Sequence, residues 1–132
     1  MNQPPTPIRV VVVDDHPVVR DGLVGMFGSE PAIEVIGEAG SGPEALIVIR
    51  AEDPDVVLMD LRMAGGGGVE AIAALRSGGR TRPRVLVLTT YNSERDIRTA
   101  LEAGADGYLL KDARRAELVR AVQDLAVGRP VL

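Results

Sequence analysis

Short apolar runs alternate with amphipathic segments along the whole chain. Five runs rich in β-branched and other apolar residues predict strands, at 8–14, 33–38, 55–59, 84–88 and 106–110. Three of these runs are almost wholly apolar, which is typical of parallel strands covered by helices on both faces. The alternation of strands with amphipathic segments therefore predicts an α/β fold with a parallel sheet.

The first three helices are predicted between the first four strands. Pro17 suits the first helical position. Four apolar residues follow it at helical spacing: Val19, Leu23, Met26 and Phe27. Ser41 with Glu44 has the spacing of a capping box, which predicts the start of the second helix. The third helix is predicted around residues 69–76.

The last two helices follow the fourth and fifth strands. Ser93 with Asp96 has capping-box spacing at the start of the fourth helix, and Gly104 is suited to end it in a left-handed conformation. Asp112 is a good N-cap for the fifth helix. That helix carries apolar residues at helical spacing and is predicted to end at Gly128, before a proline.

Composition limits the classes of protein that this chain can represent. Its 132 residues suit one domain, and 45% hydrophobic with 26% charged residues is ordinary for a soluble globular protein. A net charge of −4 disfavours nucleic-acid binding by this segment. There is no cysteine for disulfides or thiolate metal sites, and no apolar run approaches the roughly 20 residues of a membrane span. We expect a cytoplasmic protein that makes no membrane contact.

The domain organisation follows from the same pattern. Residues 1–7 are proline-rich and polar, so we expect a disordered tail there. Residues 8–128 are predicted to form the single domain. Residues 129–132 contain a proline after a helix-ending glycine, and we interpret them as the start of a linker.

Polar residues stand at the predicted ends of four strands. They are Asp14, Asp15, Asp60, Thr89, Thr90 and Lys111. Ligands of open α/β sheets bind at the carboxyl ends of the strands, so in a parallel sheet these side chains converge on one edge. Three carboxylates in one small cleft repel one another, which predicts a compensating cation. Oxygen ligands alone favour a hard ion such as Mg²⁺, or Mn²⁺.

This arrangement suits phosphoryl chemistry. A carboxylate beside a divalent metal can attack a phosphoryl group and hold it as an acyl phosphate. Lys111 would neutralise a phosphate oxygen, and Thr89 could donate a hydroxyl to another. His16 is the only histidine and stands at a predicted N-cap, so we interpret it as structural or as lining the rim of the site.

Four sequence stretches point to a known family when they are taken together. They are VVVDDHPVVRDGL (11–23), DVVLMDLRM (55–63), VLVLTTY (85–91) and GADGYLLKD (104–112). In this order and spacing the chain resembles the receiver domain of bacterial two-component response regulators. Over nearly all of residues 8–128 it is similar to the NarL/FixJ, or LuxR-type, subfamily.

The resemblance implies a (βα)5 flavodoxin-like fold, a doubly wound five-stranded parallel sheet with strand order 2-1-3-4-5. It implies that Asp60 accepts phosphate from a sensor histidine kinase. Asp15, Asp60 and the backbone carbonyl of Arg62 would bind Mg²⁺, with Asp14 acting mostly through water.

The same resemblance implies how the signal leaves the site. Thr89 and Tyr108 would form the switch pair, while Lys111 contacts the phosphoryl group. Phosphorylation would change the surface of the fourth helix, fifth strand and fifth helix, and promote a homodimer. DNA binding would come only through a C-terminal helix-turn-helix domain outside this chain. The domain would not be an enzyme, beyond assisting its own phosphorylation and dephosphorylation.

One loop departs from the family pattern. Receivers of this type usually carry proline and aspartate after the phosphoacceptor strand, where this chain has Ala64, Gly66 and Gly67. Losing the proline and gaining glycines raises loop entropy, so we expect a more mobile loop.

Two other functions remain as alternatives. A haloacid-dehalogenase-like phosphatase also uses a strand-end aspartate, but it needs an acid two residues later, where this chain has Arg62. A phosphorylation-independent interaction module on the same fold is disfavoured by the intact carboxylates, although the altered loop leaves it open.

Overall fold

The computed structural model describes residues 6–63, 65–90 and 94–132. Five strands alternate with five helices through these ranges. In chain order they are β1 Ile8–Val13, α1 Pro17–Gly28, β2 Ile33–Ala39, α2 Gly42–Glu52, β3 Val56–Asp60, α3 Gly68–Arg76, β4 Arg84–Thr89, α4 Glu94–Ala103, β5 Gly107–Leu110 and α5 Arg115–Ala126. A short 3-10 turn, Ser77–Gly79, follows α3. No helix within the described ranges has the length and apolar character needed to span a bilayer.

All five strands lie in one parallel sheet with the order β2-β1-β3-β4-β5, which confirms the predicted fold class. The chain moves from β1 outward to β2 and then returns to the other side of β1 for β3. The connection after β1 therefore runs to one side of the sheet, and the connection after β3 runs to the other. This divergence opens a crevice at the carboxyl ends of β1 and β3. The crevice lies where Asp14, Asp15 and Asp60 follow or end their strands.

The core has two parts, one on each face of the sheet. One packs β-strand valines against α2, α3 and α4, and the other packs the alternate strand residues against α1 and α5. Because successive strand residues point to opposite faces, both faces of β1, β3 and β4 are buried. This double cover explains why the central strands are nearly continuous apolar runs.

Helix starts test the capping predictions. At α2 the Ser41 hydroxyl accepts from the amide of Glu44 at 3.2 Å, as expected, whereas the Glu44 carboxylate accepts from the amide of Gly40. Ser93 lies outside the described residues. The prediction that Asp112 caps α5 is wrong. The residue at the N-cap is Arg114, in extended conformation, because the chain first makes a turn closed by the Ala113 amide and the Leu110 carbonyl.

The end of α4 and the buried face of α1 can also be compared with the prediction. Gly104 ends α4 with a φ of 117°, and its amide donates to the carbonyl of Ala100, as predicted. In α1, Leu23 and Phe27 are buried, but Val19 is 40% exposed. Val19 lies in the first turn of α1, so the buried face of this helix begins one turn later, at Leu23.

The chain after α5 returns to the sheet. Gly128 takes a left-handed conformation, and Val131 then pairs in parallel with Gly107 on the outer edge of β5. The Tyr108 amide donates to the Val131 carbonyl at 2.8 Å. A Cβ on Gly107 would lie 2.3 Å from that carbonyl oxygen, so this close approach requires glycine. Residues 129–132, which we expected to begin a linker, thus add one bridge to the edge of the sheet at Val131.

Candidate phosphoacceptor site

Asp14, Asp60 and Lys111 meet at the carboxyl edge of the sheet. The side chains of both aspartates are fully buried. Lys111 comes directly after β5, and its ammonium lies 2.9 Å from Asp60 Oδ2 and 3.8 Å from Asp14 Oδ2. Its backbone amide donates to the carbonyl of Thr89, which fixes the start of the side chain beside the cleft. One ammonium thus balances two buried carboxylates.

Each of these carboxylates has one oxygen held by backbone and one left for a ligand. The amide of His16 donates to Asp14 Oδ1 at 2.8 Å, and the amide of Arg62 donates to Asp60 Oδ1 at 2.9 Å. Asp60 Oδ2 is buried against the Lys111 ammonium, whereas Asp14 Oδ2 is buried and accepts no hydrogen bond from the described residues. Buried polar atoms are normally satisfied, so the Asp14 oxygen indicates a site built to receive a cation or a polar ligand.

Asp15 and His16 complete the cluster. One ligand atom from each of Asp14, Asp15, His16 and Asp60 lies within 4.8 Å of the others. The imidazole Nδ1 of His16 lies 2.9 Å from Asp15 Oδ1 and 3.4 Å from Asp14 Oδ1. The three predicted carboxylates are therefore together, and their charge and oxygen donors suit Mg²⁺. Sequence reasoning did not place the His16 ring among them.

The hydroxyl side of the site is formed by β4. Thr89 is the last residue of β4 and is fully buried, and its Oγ1 has no hydrogen-bond partner among the described residues. Thr90, the neighbour that periodicity alone could not separate from it, is exposed. A buried hydroxyl without a partner, at the end of the strand beside Asp60, is available to a ligand.

Tyr108 lies on the same face of the sheet as Thr89. It pairs with Val87, two residues before Thr89, and side chains two apart on a strand share a face. Tyr108 packs against the core on that side and also lines a groove of about 620 Å³ with Ile97 and Leu101 of α4. The tyrosine therefore joins the interior near Thr89 to the surface of α4.

Arg62 connects the loop after β3 to α4. Its guanidinium lies 3.3 Å from Asp96 Oδ2 in the first turn of α4. Both side chains are about half exposed, so the pair contributes little to stability. Arg62 is a cation at the position two residues after Asp60. A phosphatase of the haloacid-dehalogenase type needs a general acid at that position, and this chain lacks it.

The glycine-rich loop packs against the start of α2. The amide of Gly42 donates to the carbonyl of Gly66, and both Gly66 and Gly67 have positive φ, at 63° and 82°. A Cβ on Gly42 would lie 2.1 Å from the carbonyl oxygen of Gly67. Three glycines are thus required by this contact. Ala64, within the same loop, lies outside the described residues, and the predicted mobility of the loop stays a prediction.

The chain belongs to the response regulator receiver domain family, which its residues 10–123 match. Within that family it is a receiver of the NarL/LuxR type, the module of two-component signalling systems. It is 44% identical to the DNA-binding transcriptional activator DevR/DosR of Mycobacterium tuberculosis over 125 residues, 95% of this chain and 57% of that protein. It is 39% identical to the nitrate/nitrite response regulator NarL of Escherichia coli over 126 residues, 96% of this chain and 58% of that protein.

A solved structure supports the same assignment. The signal receiver domain of the response regulator NarL from Mycobacterium tuberculosis superposes with a TM-score of 0.87 and 44% identity, covering 95% of this chain and all of that chain. The present chain spans somewhat more than half the length of the curated relatives it matches. Membership of this family shows that the chain is a signalling domain of a response regulator.

Proposed function

We propose that Asp60 is the phosphoacceptor and that a sensor histidine kinase supplies the phosphoryl group. The observation that carries this is the ion pair between Asp60 Oδ2 and Lys111, 2.9 Å long, in a buried carboxylate cluster at the sheet switch point. Asp60 Oδ1 is engaged by the Arg62 amide, so Oδ2 is the oxygen available to attack. The P–O bond forms as the P–N bond of the phosphohistidine breaks, and the leaving imidazole keeps that electron pair.

Lys111 and Thr89 assist the transfer. The ammonium of Lys111 already faces the attacking oxygen and neutralises charge that develops on the phosphoryl oxygens. The buried Thr89 hydroxyl, which has no partner among the described residues, donates to one of those oxygens. Both groups act more strongly on the acyl phosphate than on the free carboxylate, which is the differential interaction that a switch requires.

Asp14, Asp15, Asp60 and the carbonyl of Arg62 are the residues that would hold Mg²⁺ or Mn²⁺. The fit rests on the buried, unpartnered Oδ2 of Asp14 and on oxygen donors from several adjacent groups. Once bound, the ion supplies positive charge that offsets the carboxylates and the phosphoryl oxygens.

The signal then passes through Tyr108. Movement of Thr89 toward the phosphoryl group opens space on the face that it shares with Tyr108, and the ring packs inward behind it. The groove between β5 and α4 changes shape as a result, because Tyr108 and Ile97 both line it. Phosphorylation therefore alters the α4-β5-α5 surface and favours a homodimer.

We propose that the natural protein has a further domain after the receiver domain. DevR/DosR is named a DNA-binding transcriptional activator, and the present chain covers 57% of its length. We infer a C-terminal helix-turn-helix domain that binds DNA, in a cytoplasmic transcription regulator. The receiver assists its own phosphorylation and dephosphorylation and catalyses no other reaction.

Phosphorylation can be tested directly on the purified chain. Incubation with Mg²⁺ and acetyl phosphate should add one phosphoryl group by intact mass, and the adduct should be labile to hydroxylamine. Asp60→Asn should not react. Asp21→Asn, an exposed acid on α1, should react like the parent chain. Modification of the Asp60→Asn chain to the parent level would refute the assignment.

The switch needs a second measurement. Beryllofluoride with Mg²⁺ should raise the melting temperature and shift the NMR signals of Thr89 and Tyr108. A chain that gives neither response is a phosphorylation-independent interaction module, the alternative that the altered glycine loop leaves open. A response without any change at Tyr108 would retain the phosphoacceptor and reject the proposed switch pair.

A further inference from the structure

The side chain of His16 is turned toward the acidic cluster and not toward the helix that it precedes. His16 is the N-cap residue of α1, yet its side chain makes no capping hydrogen bond. Its Nδ1 lies 2.9 Å from Asp15 Oδ1 and 3.4 Å from Asp14 Oδ1, while the side chain is 61% exposed. The ring therefore closes the solvent side of the carboxylate cluster.

The separations of the His16 nitrogen from the two carboxylate oxygens are close to those of adjacent metal ligands, and the whole cluster is slightly wider than one octahedral coordination sphere. Around an octahedral ion with bonds of about 2.1 Å, adjacent ligand atoms lie about 3.0 Å apart and opposite ones about 4.2 Å. The His16 nitrogen lies 2.9 Å from one carboxylate oxygen and 3.4 Å from another, and the four candidate ligand atoms all fall within 4.8 Å. The buried Oδ2 of Asp14, which accepts no hydrogen bond, independently marks a position for a cation.

An imidazole changes which ions the cluster accepts. Mg²⁺ prefers oxygen ligands, whereas imidazole nitrogen is a good ligand for first-row transition metals such as Co²⁺, Ni²⁺ and Zn²⁺. We propose that His16 Nδ1 is a direct ligand of a first-row transition metal ion held with the carboxylates of Asp14, Asp15 and Asp60 at the phosphoacceptor site. The proposal rests on the metal site of the proposed function and extends its specificity. His16 takes part in transition-metal binding and is dispensable for binding Mg²⁺.

The competing explanation is a hydrogen bond only. In that case the ring donates to Asp15 and never contacts an ion, and its loss weakens every metal alike by loosening the carboxylate. A direct ligand has a different signature, since its loss weakens nitrogen-binding metals selectively. The comparison of Co²⁺ with Mg²⁺ therefore separates the two explanations.

The chain is well suited to this test because it has one histidine and no cysteine. Imidazole coupling to a bound ion can come only from His16, provided that the chain carries no histidine tag. Pulsed EPR of the Co²⁺ complex should show directly coordinated nitrogen, and labelling with ¹⁵N-histidine should replace the ¹⁴N coupling. His16→Ala should remove it. Since His16 makes no side-chain cap bond, this variant does not uncap α1.

Affinities complete the test. Calorimetric titration should show His16→Ala binding Co²⁺ at least about tenfold more weakly than the parent chain, with Mg²⁺ binding changed by less than about twofold. His16→Asn, which keeps a polar side chain of similar reach, should behave like His16→Ala. A Co²⁺ complex without nitrogen coupling would overturn the proposal, and so would an equal loss of affinity for both ions.

The proposed function and this inference can fail separately. Absence of phosphorylation at Asp60 in Mg²⁺ and acetyl phosphate rejects the phosphoacceptor assignment whatever Co²⁺ does. Phosphorylation in Mg²⁺ together with Co²⁺ bound through oxygen alone rejects only the role of His16.

Discussion

Replacing Lys111 with methionine should destabilise the domain in the absence of divalent metal. The substitution keeps the unbranched stem of the side chain, one atom shorter, and removes the ammonium that faces two buried carboxylates, at 2.9 Å from Asp60 and 3.8 Å from Asp14. Charges 2.9 Å apart attract by about 6 kcal/mol at an effective dielectric constant of 20. Desolvation of the ions opposes most of this, and the lysine is 25% exposed, so we expect a net loss of about 1–3 kcal/mol.

Asp60→Asn should have the opposite effect under the same conditions. It removes one of two neighbouring buried carboxylates, so we expect a stability equal to that of the parent chain or up to about 2 kcal/mol higher. In the Asp60→Asn background, Lys111→Met should cost less than it does alone, because one of the two charges it balanced is gone. The difference between the two costs measures the coupling of the pair.

Urea unfolding in EDTA, followed by far-UV circular dichroism, measures these free energies, since the chain has no tryptophan to report by fluorescence. Arg129→Met is the matched control, because its pair with Asp124 is 3.8 Å long and the arginine is 75% exposed. Added Mg²⁺ should reduce the loss in Lys111→Met. A Lys111→Met chain within about 0.5 kcal/mol of the parent in EDTA would contradict the electrostatic argument.

Three further predictions concern the scaffold, and urea unfolding measures each. Gly42→Ala should destabilise the domain by about 2 kcal/mol or more, because its Cβ would overlap the Gly67 carbonyl oxygen 2.1 Å away. The control Gly25→Ala, in an open helical position, should stabilise the domain by about 0.5–1 kcal/mol. Equal effects of the two substitutions would reject the loop contact. Asp106→Ala should cost about 1–3 kcal/mol, since its carboxylate accepts a β4 amide and an arginine of α3, whereas Asp124→Ala should cost under about 0.5 kcal/mol. Ser41→Ala should cost about 1 kcal/mol through loss of the α2 cap, and an unchanged midpoint would show that the cap contributes nothing.

The sequence predicts which side chains lie together at the carboxyl edge because strand ends are set by topology. Asp14, Asp60 and Lys111 lie far apart in the chain, yet parallel strands carry their ends to one edge, so spacing alone brings them together. The predicted bounds of the five strands agree with the observed bounds to within one residue at each end. A central strand is limited by the apolar run that its two covered faces require.

The features that the sequence does not predict depend on local geometry. The ring of His16 could point to solvent or to the carboxylates from the same N-cap position, and only its rotamer decides. Asp112 and Arg114 are both compatible with the start of α5, and the turn after β5 selects the later residue. Val131 has no strand pattern around it, since one pairing residue is too short to produce a periodicity.

The pairing of Val131 with Gly107 has a consequence for the solution behaviour of the domain. β5 is the last strand of the sheet, and Val131 pairs the Tyr108 amide and the Asp106 carbonyl at the start of its outer edge. Exposed strand edges are templates for pairing with other chains. Val131 thus covers part of the edge at which another chain could pair. A chain shortened to Gly128 should self-associate at concentrations where the parent chain is monodisperse in light scattering.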